Sequence, residues 1–242
     1  MEPGIFNQLQ QEILHLQGYK PQPAQHSVSM KLGPIEGAFP FQTFPTRALH
    51  EFCSNSSENA AATTGFITAL LGKLLVLPSQ KCVWVSQHQS PFPPALKIFG
   101  INPSQVIFID VQQQKDLLWV IEETLKCESL TAVVGVTELL NFTDSRRLQL
   151  AVEQSHVTGL IHRINASREK TVACAARWQI QSLPSVLDDN MPGVGFPQWQ
   201  INLVKVRNGK PGTWQLHWQN GDFYYTKQAL HAIKSYPKRQ TG

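Results

Sequence analysis

Charge is scarce in this chain. Asp, Glu, Lys and Arg make up 16% of its 242 residues, against 42% hydrophobic residues, a balance that excludes a disordered protein and describes a globular one. The four cysteines, Cys53, Cys82, Cys127 and Cys174, include no C-x-x-C pair, so neither a zinc ribbon nor a secreted disulfide framework is expected. Three of them fall in or beside predicted strands and read as buried, reduced thiols. No apolar run approaches the ~18 residues of a membrane span. The opening Met1-Glu-Pro-Gly-Ile-Phe6 lacks the basic-then-apolar order of a secretory signal. The reading is cytoplasmic, with no membrane partner. H-E-x-x-H and G-x-S-x-G are absent, and the eight histidines include no i, i+4 pair, so no catalytic or metal-binding set is assigned.

A further absence is local. Arg47–Cys53 reads as a strand and Ala60–Leu77 as a helix, joined by Ser54-Asn-Ser-Ser-Glu-Asn-Ala-Ala-Ala-Thr-Thr64. In a nucleotide-binding α/β domain this strand–turn–helix would read G-x-x-x-x-G-K-[ST], whose glycines let backbone N–H groups close on phosphates and whose lysine reaches the β and γ groups. This turn has no glycine and no lysine, and Glu58 adds negative charge. No cofactor is expected.

What is present is alternation. Ile5, Leu9, Ile13 and Leu16 recur at helical spacing over residues 4–17, and a linker rich in Pro, Gln and Ser follows Gly18. Strands are expected at Cys82–Ser86, Gln105–Ile109, Thr131–Thr137 and Val157–Ile164. Helices are expected at Pro91–Phe99, Gln113–Lys126 and from a cap at Asp144 to about Ser155, with Leu148, Ala151 and Val152 facing the sheet. Thr131–Thr137 is apolar throughout, as a central strand covered on both faces requires. Beyond residue 165, Thr171–Gln181, Gln198–Arg207 and Thr213–Gln219 read as strands without intervening helices. Leu183–Pro197 reads as a mobile loop, and Asn208-Gly-Lys-Pro-Gly212 as a hairpin turn. The predicted class is α/β, a mostly parallel sheet between helices that ends in antiparallel edge strands. The division is residues 1–31, an amphipathic helix and linker; 32–225, the core; and 226–242, a basic tail.

Charge is also uneven. Residues 201–242 hold Lys205, Arg207, Lys210, Lys227, Lys234, Lys238 and Arg239 against Asp222 alone, a net +6, while the whole chain carries +4. Either the basic end meets an anionic partner or it is a solubilising tail. Lys227, His231, Lys234 and Lys238 fall on one helical face beside Tyr224, Tyr225 and Tyr236, a pattern suited to single-stranded nucleic acid. Lys205, Arg207 and Lys210 lie on or beside the hairpin, where they either meet phosphate or an acidic partner or form a solvated strand face. Arg146 and Arg147 are expected in the first turn of their helix, the end where the macrodipole disfavours cations. Their counter-charge is either local, at Asp144, Glu138 or a neighbour, or supplied by a partner carboxylate or a DNA phosphate.

Several strings carry a family resemblance. Cys82-Val-Trp-Val-Ser-Gln-His-Gln-Ser-Pro-Phe-Pro-Pro-Ala-Leu-Lys-Ile-Phe-Gly-Ile-Asn102 and Val204-Lys-Val-Arg-Asn-Gly-Lys-Pro-Gly212 resemble the second strand and late hairpin of the RecA-like core. Arg146-Arg-Leu-Gln-Leu-Ala-Val-Glu153, Leu183-Pro-Ser185, Pro192-Gly-Val-Gly-Phe-Pro197 and Leu203–Trp214 resemble the ImuA family of RecA-related SOS mutagenesis proteins, in its Bacteroidota form, over roughly residues 32–223. The resemblance places the family's catalytic glutamate on His88 and its Walker-B aspartate on Gly135 and Val136, with Glu138 two residues late. It implies a non-catalytic adaptor in translesion synthesis, partnered by an ImuB-like Y-family polymerase homologue and an error-prone replicative-type polymerase; single-stranded DNA is the further partner that the basic C-terminal end suits. The alternatives it leaves are a SulA-like division inhibitor that binds FtsZ and a protein that retains ATP binding.

Overall fold

The computed structural model describes residues 30–87, 91–166, 172–187 and 194–225. Nine strands form one sheet in the order β3-β2-β4-β5-β1-β6-β7-β8-β9. The first six in that order are parallel: β1 (Leu49–Cys53), β2 (Cys82–Ser86), β3 (Val106–Asp110), β4 (Ala132–Thr137), β5 (Thr158–Arg163) and β6 (Ala176–Val186). β7 (Phe196–Val206), β8 (Gly212–Gln219) and β9 (Asp222–Tyr225) continue the sheet antiparallel. The layout is that of a RecA-like core.

Helices cover both faces because the strands are apolar on both. β4 is buried at every position. Its Val134 and Val136 join a core with α1 (Ser57–Leu74), while Val133 joins a second core with α2 (Gln114–Leu125) and α3 (Phe142–Ser155). α1 starts where the Ser56 side chain accepts a hydrogen bond from the Asn59 N–H (3.2 Å). It buries Phe66, Ile67, Leu70, Leu71 and Leu74 at helical spacing, each worth roughly 1.5–3 kcal/mol. α2 buries Leu117, Ile121 and Leu125, and α3 buries Leu148, Ala151 and Val152, as the sequence predicts. Trp178 of β6 centres an aromatic group with Phe39, Phe44, Phe52 and Phe66.

Some boundaries differ from the sequence reading. The helix expected at Pro91–Phe99 is a 3₁₀ segment, Pro93–Phe99, ending at Gly100 in the left-handed region (φ 75°). Only Leu96 of that segment is buried, so it has no apolar stripe to hold an α-helix. It packs close on α1: a Cβ at Gly72 would lie 2.2 Å from the Phe99 carbonyl oxygen. The two ends of the expected loop Leu183–Pro197 are strand, since β6 runs to Val186 and β7 begins at Phe196, while residues 188–193 lie outside the described residues. Pro184 is tolerated because it sits at a shift in the β6–β7 register between Leu183 and Val186, beyond the last β1 partner at Gln179. β6 starts at Ala176, not Thr171.

Candidate functional site

The strand–turn–helix after β1 is shorter than the sequence suggests. α1 begins at Ser57, so three residues, Ser54, Asn55 and Ser56, connect it to Cys53. The Ser54 N–H donates to the Arg163 carbonyl oxygen (3.0 Å), and its own carbonyl accepts from the Ala166 N–H (3.0 Å). Its Oγ shares a hydrogen bond with His162 Nε2 at 2.9 Å. The turn is thereby tied to the end of β5. Burial holds His162 neutral, with its pKa lowered to about 4. This serine–histidine contact is no nucleophilic relay. Both residues are buried, and His162 Nδ1 has no partner among the described residues, whereas a relay needs an acid to orient the imidazole.

The position on which the resemblance places a Walker-B aspartate is close-packed. A Cβ on Gly135 would lie 2.4 Å from Ile121 Cδ1 and 3.2 Å from Ile161 Cδ1, so a side chain there would have to push both isoleucines aside. Val136 is buried in the opposite core. Glu138 is exposed and accepts from Asn165 Nδ2 at 3.1 Å. His88 lies outside the described residues.

A buried ionic cluster crosses β5, β1 and β6. Glu51 Oε1 accepts from Arg163 Nη1 (2.6 Å) and Oε2 from Arg177 Nε (2.6 Å). The Cys174 thiol lies 3.9 Å from Oε2. Burial, then the charge of Glu51, pushes the Cys53 thiol up to about 12 and that of Cys174 to about 11, so neither is a reactive thiolate. All four cysteines are free. Cys82 and Cys174 are buried as expected, Cys53 is half-buried, and Cys127 is exposed. Sequence reasoning missed the cluster. Its signal was a lone carboxylate in Leu49-His-Glu-Phe-Cys53, a strand expected to be buried.

The two arginines of α3 separate. Asn141, not Asp144, caps the helix, its side chain accepting from the Asp144 N–H at 2.8 Å. Arg146 and Arg147 therefore stand in the second turn, not the first, where the macrodipole has faded. Arg147 forms a salt bridge with Glu122 of α2, a partner that sequence reasoning did not name. Arg146 bonds Gln149 Oε1 at 3.0 Å. Lys205 is exposed at the end of β7 and reaches the Val172 carbonyl (3.4 Å). The exposed Arg207 and Lys210 follow in the hairpin, their backbone N–H groups held by the Ala175 and Ala38 carbonyls, both at 2.8 Å. The hairpin thus groups Lys205, Arg207 and Lys210, and Lys205 reaches the segment whose Ala173 N–H donates to Ser145 Oγ of α3 (2.9 Å). Lys227, Lys234, Lys238 and Arg239 lie outside the described residues.

Two apolar surfaces were also missed. Among the described residues, β3 is an unpaired sheet edge. There Ile107, Ile109, Trp119 and Leu130 help wall a groove of about 450 Å³, with Ile107 50% and Trp119 60% exposed. Leu139 and Phe142 stand exposed at the start of α3. Among the described residues no group of three or more His, Cys, Asp and Glu is placed to hold a metal, and no helix is long and apolar enough to cross a membrane.

No family model matches the chain. It is 30% identical over 196 residues to Protein ImuA of Caulobacter vibrioides, in strain NA1000 and in strain ATCC 19089 alike. The match covers 76% of this chain and 80% of the relative. With that identity spread across most of both chains, on a RecA-like core, the chain belongs to the ImuA family.

Proposed function

We propose that this protein is a non-catalytic accessory factor of damage-induced mutagenesis, working by binding an ImuB-like polymerase homologue and, through it, an error-prone replicative-type polymerase. Family membership supports the pathway. The observation that carries the non-catalytic part is the three-residue turn held onto β5 by Ser54 and His162, with Gly135 backed by two isoleucines. A phosphate cradle needs a longer loop of free N–H groups, and Mg²⁺ needs a carboxylate at the end of β4. The β3 edge, unpaired among the described residues, suits an extended partner segment, which would add backbone hydrogen bonds and seat alternate side chains beside Trp119. The basic end of the chain would contact single-stranded DNA.

The test is co-purification from DNA-damaged cells with identification of bound proteins, alongside Mg-ATP titration calorimetry. A polymerase-related partner retained by the parent chain and lost from an Ile107→Asp, Trp119→Asp variant of unchanged stability is the expected result. A micromolar ATP constant would overturn the non-catalytic reading. FtsZ as the recovered partner would overturn the mutagenesis reading.

A further inference from the structure

The outer ridge of α3 carries an unusual sequence of side chains. Its inner face is fixed by Leu148, Ala151, Val152 and Ser155, all buried. A helix turns 3.6 residues per turn, which puts Phe142, Arg146 and Leu150 along the opposite crest at i, i+4 and i+8, a span of roughly 12 Å. Phe142 is 54% and Leu150 43% exposed. Exposed Leu139, at 62%, stands just before the helix.

This presentation is built in. The Leu139 N–H donates to Thr137 Oγ1 (3.2 Å), while its carbonyl accepts from the Thr137 hydroxyl (2.9 Å) and from Gln114 Nε2 (3.3 Å). The Asn141 cap then sets the register that turns Phe142 outward. A backbone held this firmly while its apolar side chains face water is preorganised for contact, since little entropy remains to be lost on binding.

The charges select the occupant. Arg147 on the neighbouring face is paired with Glu122. Arg146, between the two apolar residues, bonds a neutral amide, Gln149 Oε1, whose Nε2 is in turn held by Glu153 Oε1 at 2.8 Å. The ridge therefore reads apolar, cationic, apolar. Leu139 and Leu150 offer no ring for a base to stack on, and a phosphate backbone, charged at every nucleotide, would meet the exposed Glu153 one turn beyond Leu150. A protein helix carrying a carboxylate between two apolar side chains complements all three positions.

We propose that the Phe142–Arg146–Leu150 ridge, extended by Leu139, docks an amphipathic helix of a partner protein that carries one carboxylate between two apolar side chains. This goes beyond the proposed function and does not need the partner to be a polymerase homologue.

The probes are two labelled helical peptides, alike except for one position: L-x-x-x-E-x-x-x-L and L-x-x-x-K-x-x-x-L. Their spacing reads the same in either direction. Fluorescence anisotropy with the full chain is expected to show the Glu peptide bound roughly tenfold more tightly than the Lys peptide. Arg146→Glu should reverse that preference, and Phe142→Ser with Leu150→Ser should remove both interactions. Melting temperatures of these surface variants should match the parent. Absence of binding, equal binding of the two peptides, an unchanged preference in Arg146→Glu, displacement by a 20-nucleotide oligo-dT, or a self-associated chain that occupies the ridge would each overturn the proposal. Damage-induced mutation in a deletion strain is a separate readout. Mutation unchanged there would overturn the accessory role while leaving the ridge intact, whereas a failed peptide experiment would remove the ridge alone.

Discussion

Glu51 and Arg163 form an ion pair at 2.6 Å with both side chains almost wholly buried, and Arg177 closes on the other carboxylate oxygen at the same distance. One carboxylate thus serves two guanidiniums on strands far apart in sequence. Removing it strands two desolvated cations. Glu51→Ala should cost about 3–5 kcal/mol, read as a lowered urea midpoint. Replacing all three residues by apolar side chains of similar volume should recover most of the loss, because the desolvation cost disappears with the charges. A Glu51→Ala effect below ~1 kcal/mol would place the cluster in water rather than in the core.

Acid should weaken the fold through two histidines. His50, whose Nε2 donates to the Pro45 carbonyl (2.8 Å) and whose Nδ1 accepts from Trp178 Nε1 (3.3 Å), is held by burial at a pKa of about 4. His162 is held at about 4 by the same cause. The unfolded chain binds these protons from 6.5 downward, while the folded chain resists them until about 4. Their stabilisation is therefore complete above pH 6.5 and is lost as pH falls toward 4, at most about 3 kcal/mol for each residue. Denaturant unfolding at pH 7 and pH 5 measures the slope, and His162→Gln should reduce it. An unchanged slope in that variant would assign the acid sensitivity elsewhere.

Restoring the family's carboxylate should not restore its chemistry. Gly135→Asp drives the new side chain into Ile121 and Ile161 and buries a charge without a partner. A loss of more than about 3 kcal/mol is expected, with no gain in Mg-ATP affinity by calorimetry. A stable Gly135→Asp protein that bound the nucleotide would mean that the site is one substitution from function, rather than rebuilt.

The parallel sheet was legible because β4 and its neighbours β2 and β5 carry short apolar runs of strand length, and the helices because their buried positions repeat at three and four. Helix starts were less so. Asn141 and Asp144 are both good caps three residues apart, and the structure uses Asn141, whose side chain accepts from the Asp144 N–H. That shift moved Arg146 and Arg147 into the second turn. The missing glycine and lysine after β1 were readable. The shortening of the turn to Ser54–Ser56 was not, since the alanines mark the helix without marking its first residue. The Glu51 cluster was invisible because its arginines lie 112 and 126 residues away, a pairing that only the β5-β1-β6 order creates.

The basic end of the chain gives the last test. If Lys227, Lys234, Lys238 and Arg239 neutralise phosphates of single-stranded DNA, log affinity falls with log salt by roughly 0.7 for each. Replacing all four with Ala should flatten the slope by about 3. The control set needs equal charge from elsewhere, without structural roles. Lys73 is unsuitable because it pairs with Asp222 and lies over the Trp218 ring, and Lys31 shares the same carboxylate. Lys81, Lys97, Lys115 and Lys126 avoid that cluster, and Lys126 has only exposed or partly exposed partners on its own helix. Changing these four should leave the slope nearly unaltered. A third set, Lys205, Arg207 and Lys210, asks whether the hairpin joins the tail in one contact; a further drop of about 2 in slope would say that it does. Equal losses from tail and control sets would reduce the interaction to net charge. No binding by the parent chain at ~50 mM salt, where phosphate contacts are strongest, would remove DNA from the mechanism and leave a protein adaptor.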